Sequence, residues 1–420
     1  MTSKRVEFDV VAPLGVVLAL CAVPLALAQA PYEKPPVLRA ADRAPPQLDA
    51  GPDYRVEDEV VNDGLMNHYR IVSPFGNFEA HSDAERDKRV GEIGAIAKLK
   101  NLEGSDEFGK GIANALRDVV EGAKALVTDP VRTIGGIFQG AGTLLRRAGD
   151  SVLGDPQSRY EDNALQAVSG VSQSKREFAA QLGIDPYSSN EVLQEALTRV
   201  ARAAASGNIL SSAALAAVSG GAGTFLAVTS GSQTLNEVLK TTPPTDLRRM
   251  NREKLQKMEI GADQIDLFLA NTNYSPTYQL LLVEALDGMP EVSGKEALVK
   301  FAIGADSDAL CMLRQRQARM YAAYHAKVQP LERLAASGNL AMARARDGKI
   351  VIAVPVDHLV WTESVAQSVA NADDLPKEFA GAAAREFWLG GTISPRARAE
   401  LEARGWKIRE NAAEQLIGAG

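Results

Sequence analysis

The sequence predicts a mainly α protein with small β additions: an N-terminal β-meander, a central multi-helix body and a C-terminal small α/β unit. Three observations carry that prediction. Aromatic residues make up only 5% of the chain while alanine and glycine are abundant, which favours closely packed helices over sheets rich in aromatic and β-branched side chains. Apolar residues recur at helical spacing through residues 164–337. Alternating strand patterns bounded by turn residues are confined to residues 54–83 and 338–411.

The first element is an address. Lys4 and Arg5 precede an uncharged run over residues 10–28, and Ala26, Leu27 and Ala28 form a small-residue exit. This reads as a secretory signal peptide of residues 1–28, cleaved after Ala28, which makes the chain an exported protein of bacterial type, periplasmic or secreted. The alternative is an inner-membrane anchor retained through residues 10–28, since a span needs roughly 20 apolar residues. Leu20 before Cys21 argues against a lipid-modified cysteine. With Cys21 removed, Cys311 is the sole thiol, so no intramolecular disulfide forms and zinc sites built on repeated cysteines are excluded. The formal net charge of -7 makes nucleic acid a poor partner.

Residues 29–53, with their repeated prolines, read as an extended Pro-rich tether. In the meander of residues 54–83, Asn62-Asp63-Gly64 and Ser73-Pro74-Phe75-Gly76 supply turns. Ser82 or Asp83 then caps a helix whose Val90, Ile93, Ile96, Ala97 and Leu99 share a face. Residues 84–163 continue as glycine-rich amphipathic helices. Each glycine lowers helix stability by about 1 kcal/mol relative to alanine, so packing or a membrane surface must compensate. In the helical domain of residues 164–337, Ser189 or Asn190 starts the clearest helix and Gly207 ends it. The uncharged run over residues 209–235 is too rich in Ser, Thr and Gly for a good bilayer span and reads as a buried helix or hairpin. Residues 306–335 read as one long helix with Leu310, Leu313, Met320, Tyr324, Val328 and Leu331 along a stripe. Positive charges predominate between Arg314 and Lys349, a basic surface suited to anionic lipid or an acidic partner.

The C-terminal unit of residues 338–411 opens with a hairpin about a two-residue Asp347-Gly348 turn. A strand from Lys349 to Val356, apolar enough to be buried on both faces, follows. Ser394-Pro395 starts a helix, Gly405 ends it, and Trp406 begins another strand. Residues 412–420 form a tail.

Candidate chemistry is sparse. Cys311 and His325 suggest a nucleophile and base, but on a continuous helix fourteen residues separate them by about 21 Å at 1.5 Å per residue. His358 reaches Cys311 only through tertiary folding. Asp357 and His358 end a strand and run directly into Trp361-Thr362-Glu363-Ser364, where α/β units gather functional groups, although adjacent strand residues point to opposite faces. His68 and His81 lie on neighbouring strands as a candidate metal pair, with His81 expected opposite Tyr69 or Arg70 and the two imidazoles therefore diagonal. No Walker A loop, HExxH or GxSxG is present, and residues 220–224 are glycine-rich without a following lysine, so no cofactor is expected. The expected role is a non-enzymatic interaction or scaffolding protein whose partner is another protein. The alternatives are a membrane-peripheral or membrane-active helical protein on an anionic membrane surface, and a hydrolase with a site near Asp357 to Ser364. Whether the chain is an enzyme, and its oligomeric state, stay open at this level.

Overall fold

A computed structural model describes residues 31–43, 46–103, 170–205, 232–337, 340–373, 379–382 and 384–418. The expectations for residues 1–28, for the glycine-rich stretches within 104–163, and for Gly207, residues 209–231 and residues 220–224 lie outside the described residues. Glu33–Gly420 is one compact unit.

The segment expected as a tether joins the first sheet. Val37–Arg39 (β1) pairs antiparallel with Glu59–Asn62 (β4), and after the single turn Pro46–Asp49 (α1), Ala50–Gly51 (β2) pairs with Tyr54–Val56 (β3). Prolines flank these pairing residues rather than interrupting them, so no donor is lost from a ladder. Both β3 and β4 pair with Asn67–Ser73 (β5), Val56 opposite Ile71 and Asn62 opposite Asn67. The register shifts by two residues between those pairs; the shift falls after Glu57, whose N–H still donates to the Arg70 carbonyl at 2.9 Å, and before Val61. Gly76–Ala80 (β6) closes the sheet against the other edge of β5.

Asp83–Glu103 (α2) follows at once. Ser82 is its cap: Ser82 Oγ accepts from the Glu85 N–H at 3.0 Å, and the Glu85 carboxylate accepts from the His81 N–H at 2.9 Å. Ile93 faces the sheet, while Ala95, Ile96 and Leu99 pack against Val171–Leu182 (α3) and Glu191–Ala205 (α4). Asn190 starts α4, accepting from the Leu193 N–H at 3.2 Å.

The helical body continues through Ser232–Thr241 (α5), Pro244–Lys257 (α6), Ala262–Leu269 (α7), Pro276–Asp287 (α8), Glu296–Ile303 (α9) and Asp308–Lys327 (α10). The long helix expected to reach Ala335 stops at Lys327. Pro330 has no N–H and its ring disfavours helical backbone at Gln329, so Leu331–Ser337 instead forms a strand, β7.

Leu340–Ala345 (β8), Ile350–Val354 (β9), His358–Leu359 (β10), Glu363–Asp373 (α11), Arg385–Leu389 (β11), Thr392–Ile393 (β12), Pro395–Ala403 (α12), Trp406–Arg409 (β13) and Ala412–Ile417 (α13) complete the chain. The five-stranded sheet runs β13-β11-β9-β8-β7, parallel across β13, β11 and β9 and antiparallel across β9, β8 and β7. Its hairpin has a three-residue loop, not two: Ala345 and Lys349 pair, and Gly348 occupies the left-handed position at φ +82°. Ala341, Ala343, Val351 and Ala353 face the helical body, whereas Met342, Ile350 and Ile352 face the core under α11 and α12. Burial on both sides accounts for the unbroken apolar run of β9. Glu33 ties the start of this unit to its end, its carboxylate accepting from the Trp361 N–H at 2.9 Å and the Ser394 hydroxyl at 2.5 Å.

The class is therefore mixed rather than mainly α, with sheets of six, five and two strands beside the helices. Composition hid this because β7 and β8 are rich in alanine and arginine. Close approach of the helices demands small residues at Ala341, Ala343 and Ala345, all fully buried.

A buried charge cluster joins α2 to the body. Lys88 Nζ donates to Tyr278 Oη at 2.8 Å and lies 3.7 Å from Asp185 and 4.0 Å from Glu92. Glu92 also accepts from Ser188 Oγ at 2.5 Å, Asn190 Nδ2 at 3.0 Å and Arg89 at 2.8 Å. Burial pushes the Glu92 carboxyl upward, but Arg89 and Lys88 outweigh it and hold the group below its ordinary range. Lys88→Ala, which leaves Asp185 buried without its cation, is expected to cost about 3–5 kcal/mol in urea unfolding. The exposed control Lys100→Ala is expected to stay within about 0.5 kcal/mol.

Candidate functional site

The parallel strands β9 and β11 end side by side, and the chain leaves them through Pro355-Val356-Asp357 and Gly390-Gly391. A Cβ on Gly391 would lie 2.0 Å from the Asp357 carbonyl oxygen, and one on Gly390 would lie 2.8 Å from Pro355 Cα. Glycine at both positions lets the Gly391 N–H reach the Val356 carbonyl at 2.7 Å and the Thr392 N–H reach that of Asp357 at 3.0 Å. This close approach fixes where Asp357 stands.

The Asp357 carboxyl meets the start of α2. Its Oδ2 accepts from the Asn67 N–H and the Asp83 N–H, both at 3.0 Å. Asn67 also donates from its side-chain amide to Asp83 Oδ1 at 2.8 Å, so one residue clamps both carboxyl groups. The Asp83 carboxylate accepts further from Tyr69 Oη at 2.5 Å and Arg43 at 3.4 Å, and Arg43 donates to the Asp357 carbonyl at 3.2 Å. Arg86 supports this arrangement by donating to Tyr69 Oη at 3.0 Å while pairing with Asp87 at 2.7 Å. Burial pushes the Asp357 carboxyl well above the ordinary carboxylate range, and the neighbouring Asp83 charge pushes the same way. Oδ2 is taken by two N–H donors, which leaves Oδ1 as the oxygen open to other partners.

Arg43, Asp83, Arg86, Asp87 and Asp357 line a cleft of about 360 Å³, at the carboxyl ends of parallel strands where open α/β sheets place their ligands. Arg316 of α10 forms part of its wall and makes no hydrogen bond or ion pair among the described residues. Burial pulls its guanidinium down, while Asp357, Asp87 and Asp83 act in the opposite direction from longer range.

Of the sequence-derived candidates, only Asp357 lines this cleft. His358 turns away, its Nδ1 lying 2.7 Å from Thr392 Oγ1, and burial together with Arg43 pushes it below the ordinary histidine range. Trp361 is buried in the core under α11 and α12, so Asp357 to Ser364 diverge instead of sharing one concavity. Cys311 is fully buried in the main core near Tyr274, and His325 Nδ1 accepts from the Leu331 N–H at 3.0 Å, so the two form no nucleophile–base pair. Arg314 stacks over Phe301, Arg316 lines the cleft, Arg346 pairs with Glu291, and Lys349 pairs with Asp347 at 2.8 Å. His68 and His81 stand directly opposite rather than diagonal, because the two-residue turn sets Tyr69 against Ala80.

Sequence reasoning missed Arg43, Asn67, Asp83 and Arg316. By local pattern Asp83 is a helix-capping residue, and the Gly390-Gly391 doublet marks a close backbone approach. No protein-family model, curated protein or solved structure matches the chain. Among the described residues no helix is long and apolar enough to cross a membrane.

The raised Asp357 carboxyl has a measurable consequence. Between the ordinary value of 3.8 and its folded value, the folded state holds a proton that the unfolded chain has lost. Its contribution therefore declines as pH rises through that window and levels off above it. Asp357→Asn keeps the acceptor and supplies an N–H in place of the proton. The variant is expected to match or exceed the parent in thermal midpoint at pH 7.5, with the difference shrinking toward pH 4.

Proposed function

We propose that the protein is a hydrolase acting on a small anionic substrate in the cleft between α2, α10 and the ends of β9 and β11. The observation that carries this reading is the Asn67-clamped pair of Asp83 and Asp357, the Asp357 carboxyl pushed up by burial, in one cleft with the Arg316 guanidinium, which has no ion-pair partner among the described residues. Two neighbouring carboxyl groups, one of them raised by burial, are a recurrent basis for acid–base chemistry.

In this reading Arg316 holds the anionic group of the substrate. Asp83 takes a proton from a water as its oxygen attacks the electrophilic centre. Asp357 gives its proton to the departing oxygen, so the bond to the leaving group breaks without releasing an alkoxide. The proton gained by Asp83 then passes to Asp357 and restores the pair. The cleft rather than the Asp357 to Ser364 stretch is the site, and export to the periplasm or beyond remains the proposed location. The membrane-peripheral alternative rests mainly on segments outside the described residues, and no observation among the described ones favours it.

The test is turnover of a panel of carboxylate-bearing esters, phosphodiesters and uronic-acid glycosides, followed by mass spectrometry. Asp83→Asn and Asp357→Asn are each expected to lower turnover by about 10²–10⁴-fold while remaining folded by circular dichroism. Arg316→Met is expected to act mainly on KM. Absence of turnover across the panel, or an Asp357→Asn variant as active as the parent, would return the protein to a non-enzymatic interaction role.

A further inference from the structure

On the N-terminal sheet, outside the residues that line the cleft, two imidazoles face each other across a strand pair. His68 lies on β5 and His81 directly follows β6, and the register that pairs Tyr69 with Ala80 brings the two histidines opposite one another. Their Nδ1 atoms are 3.1 Å apart, with ring centroids 5.3 Å apart and planes inclined at 68°. Asp63 Oδ2 lies 3.0 Å from His68 Nε2. That carboxylate is held by a turn, in which its Oδ1 accepts from the Leu65 N–H at 2.9 Å and the Met66 N–H at 2.8 Å.

We infer that His68 and His81 form a two-histidine chelate for a divalent transition-metal ion, with Asp63 as the positioning residue behind His68. Two imidazole nitrogens 3.1 Å apart, each at the 2.0–2.1 Å usual for zinc, subtend about 98° at the metal, between the octahedral and tetrahedral angles. A carboxylate facing His68 Nε2 requires the proton there, which leaves the Nδ1 lone pair bare and directed at His81. In the metal-free protein His81 donates its Nδ1 proton across the pair. On binding, that proton moves to the other ring nitrogen of His81, which is exposed to solvent, and both Nδ1 atoms become ligands. Among the described residues no third His, Cys, Asp or Glu joins the pair, so water completes the shell. Imidazole donors suit zinc, copper and nickel, and not the hard cations calcium or magnesium.

Zinc titrated into the full chain by calorimetry at pH 7.5 is expected to saturate one site and raise the thermal midpoint, reversibly with EDTA. His68→Ala and His81→Ala are expected to abolish that heat. Asp63→Asn is expected to weaken binding by about 10–100-fold, as loss of an outer-shell carboxylate does. The chain has only four histidines, so His325→Ala and His358→Ala serve as controls that retain binding. Binding unchanged in His81→Ala, or no saturable site below roughly 1 mM zinc, would overturn the inference. Neither result bears on the cleft, whose residues are not altered.

Discussion

The fold turns on α2, which packs against the first sheet, the α3–α4 pair and the helical body. Ile93 is taken by the first sheet and Ile96 and Leu99 by α3 and α4. On its inward face Lys88, Arg89 and Glu92 replace apolar packing with a buried set of charges shared with α8 and the loop before α4. Such a cluster gives little net stability compared with well-packed apolar residues, but it is costly to mismatch, so it accepts one placement of the helix and few others. That placement sets the position of the α2 N-terminus, and with it Asp83.

The cleft is consequently a junction of three independently fixed parts. The first sheet positions Asn67 and Tyr69, α2 positions Asp83 and Arg86, and the glycine-assisted ends of β9 and β11 position Asp357. Arg316 arrives from a fourth direction on α10. Groups held from several directions lose little entropy when a ligand arrives, which is the preorganisation that acid–base chemistry depends on.

How much of this was readable depended on the range of the physics involved. Ser82, Asn190 and Ser394 act within one helical turn of their own chain, so their caps are legible as local patterns. The run of β9 is legible because burial on both faces leaves no polar alternation. Asp357 is legible as a residue at a strand end. Its partner Asp83 lies 274 residues away, and no local pattern connects them. The misread strand β7 shows the opposite error. The apolar stripe of α10 continues through Val328 and Leu331, so periodicity alone extends the helix, and only Pro330 marks the break. The histidine pair was misplaced because a shift of register by one residue exchanges the faces of a strand.

The bond from Ser394 to Glu33 spans 361 positions of sequence. At a synthesis rate of about 5–20 residues per second, the first of these groups waits roughly 20–70 s for the second to exist. Until Asp357 is made the cleft has no second carboxyl, and a product truncated before Ser394 lacks the hydroxyl that Glu33 accepts from.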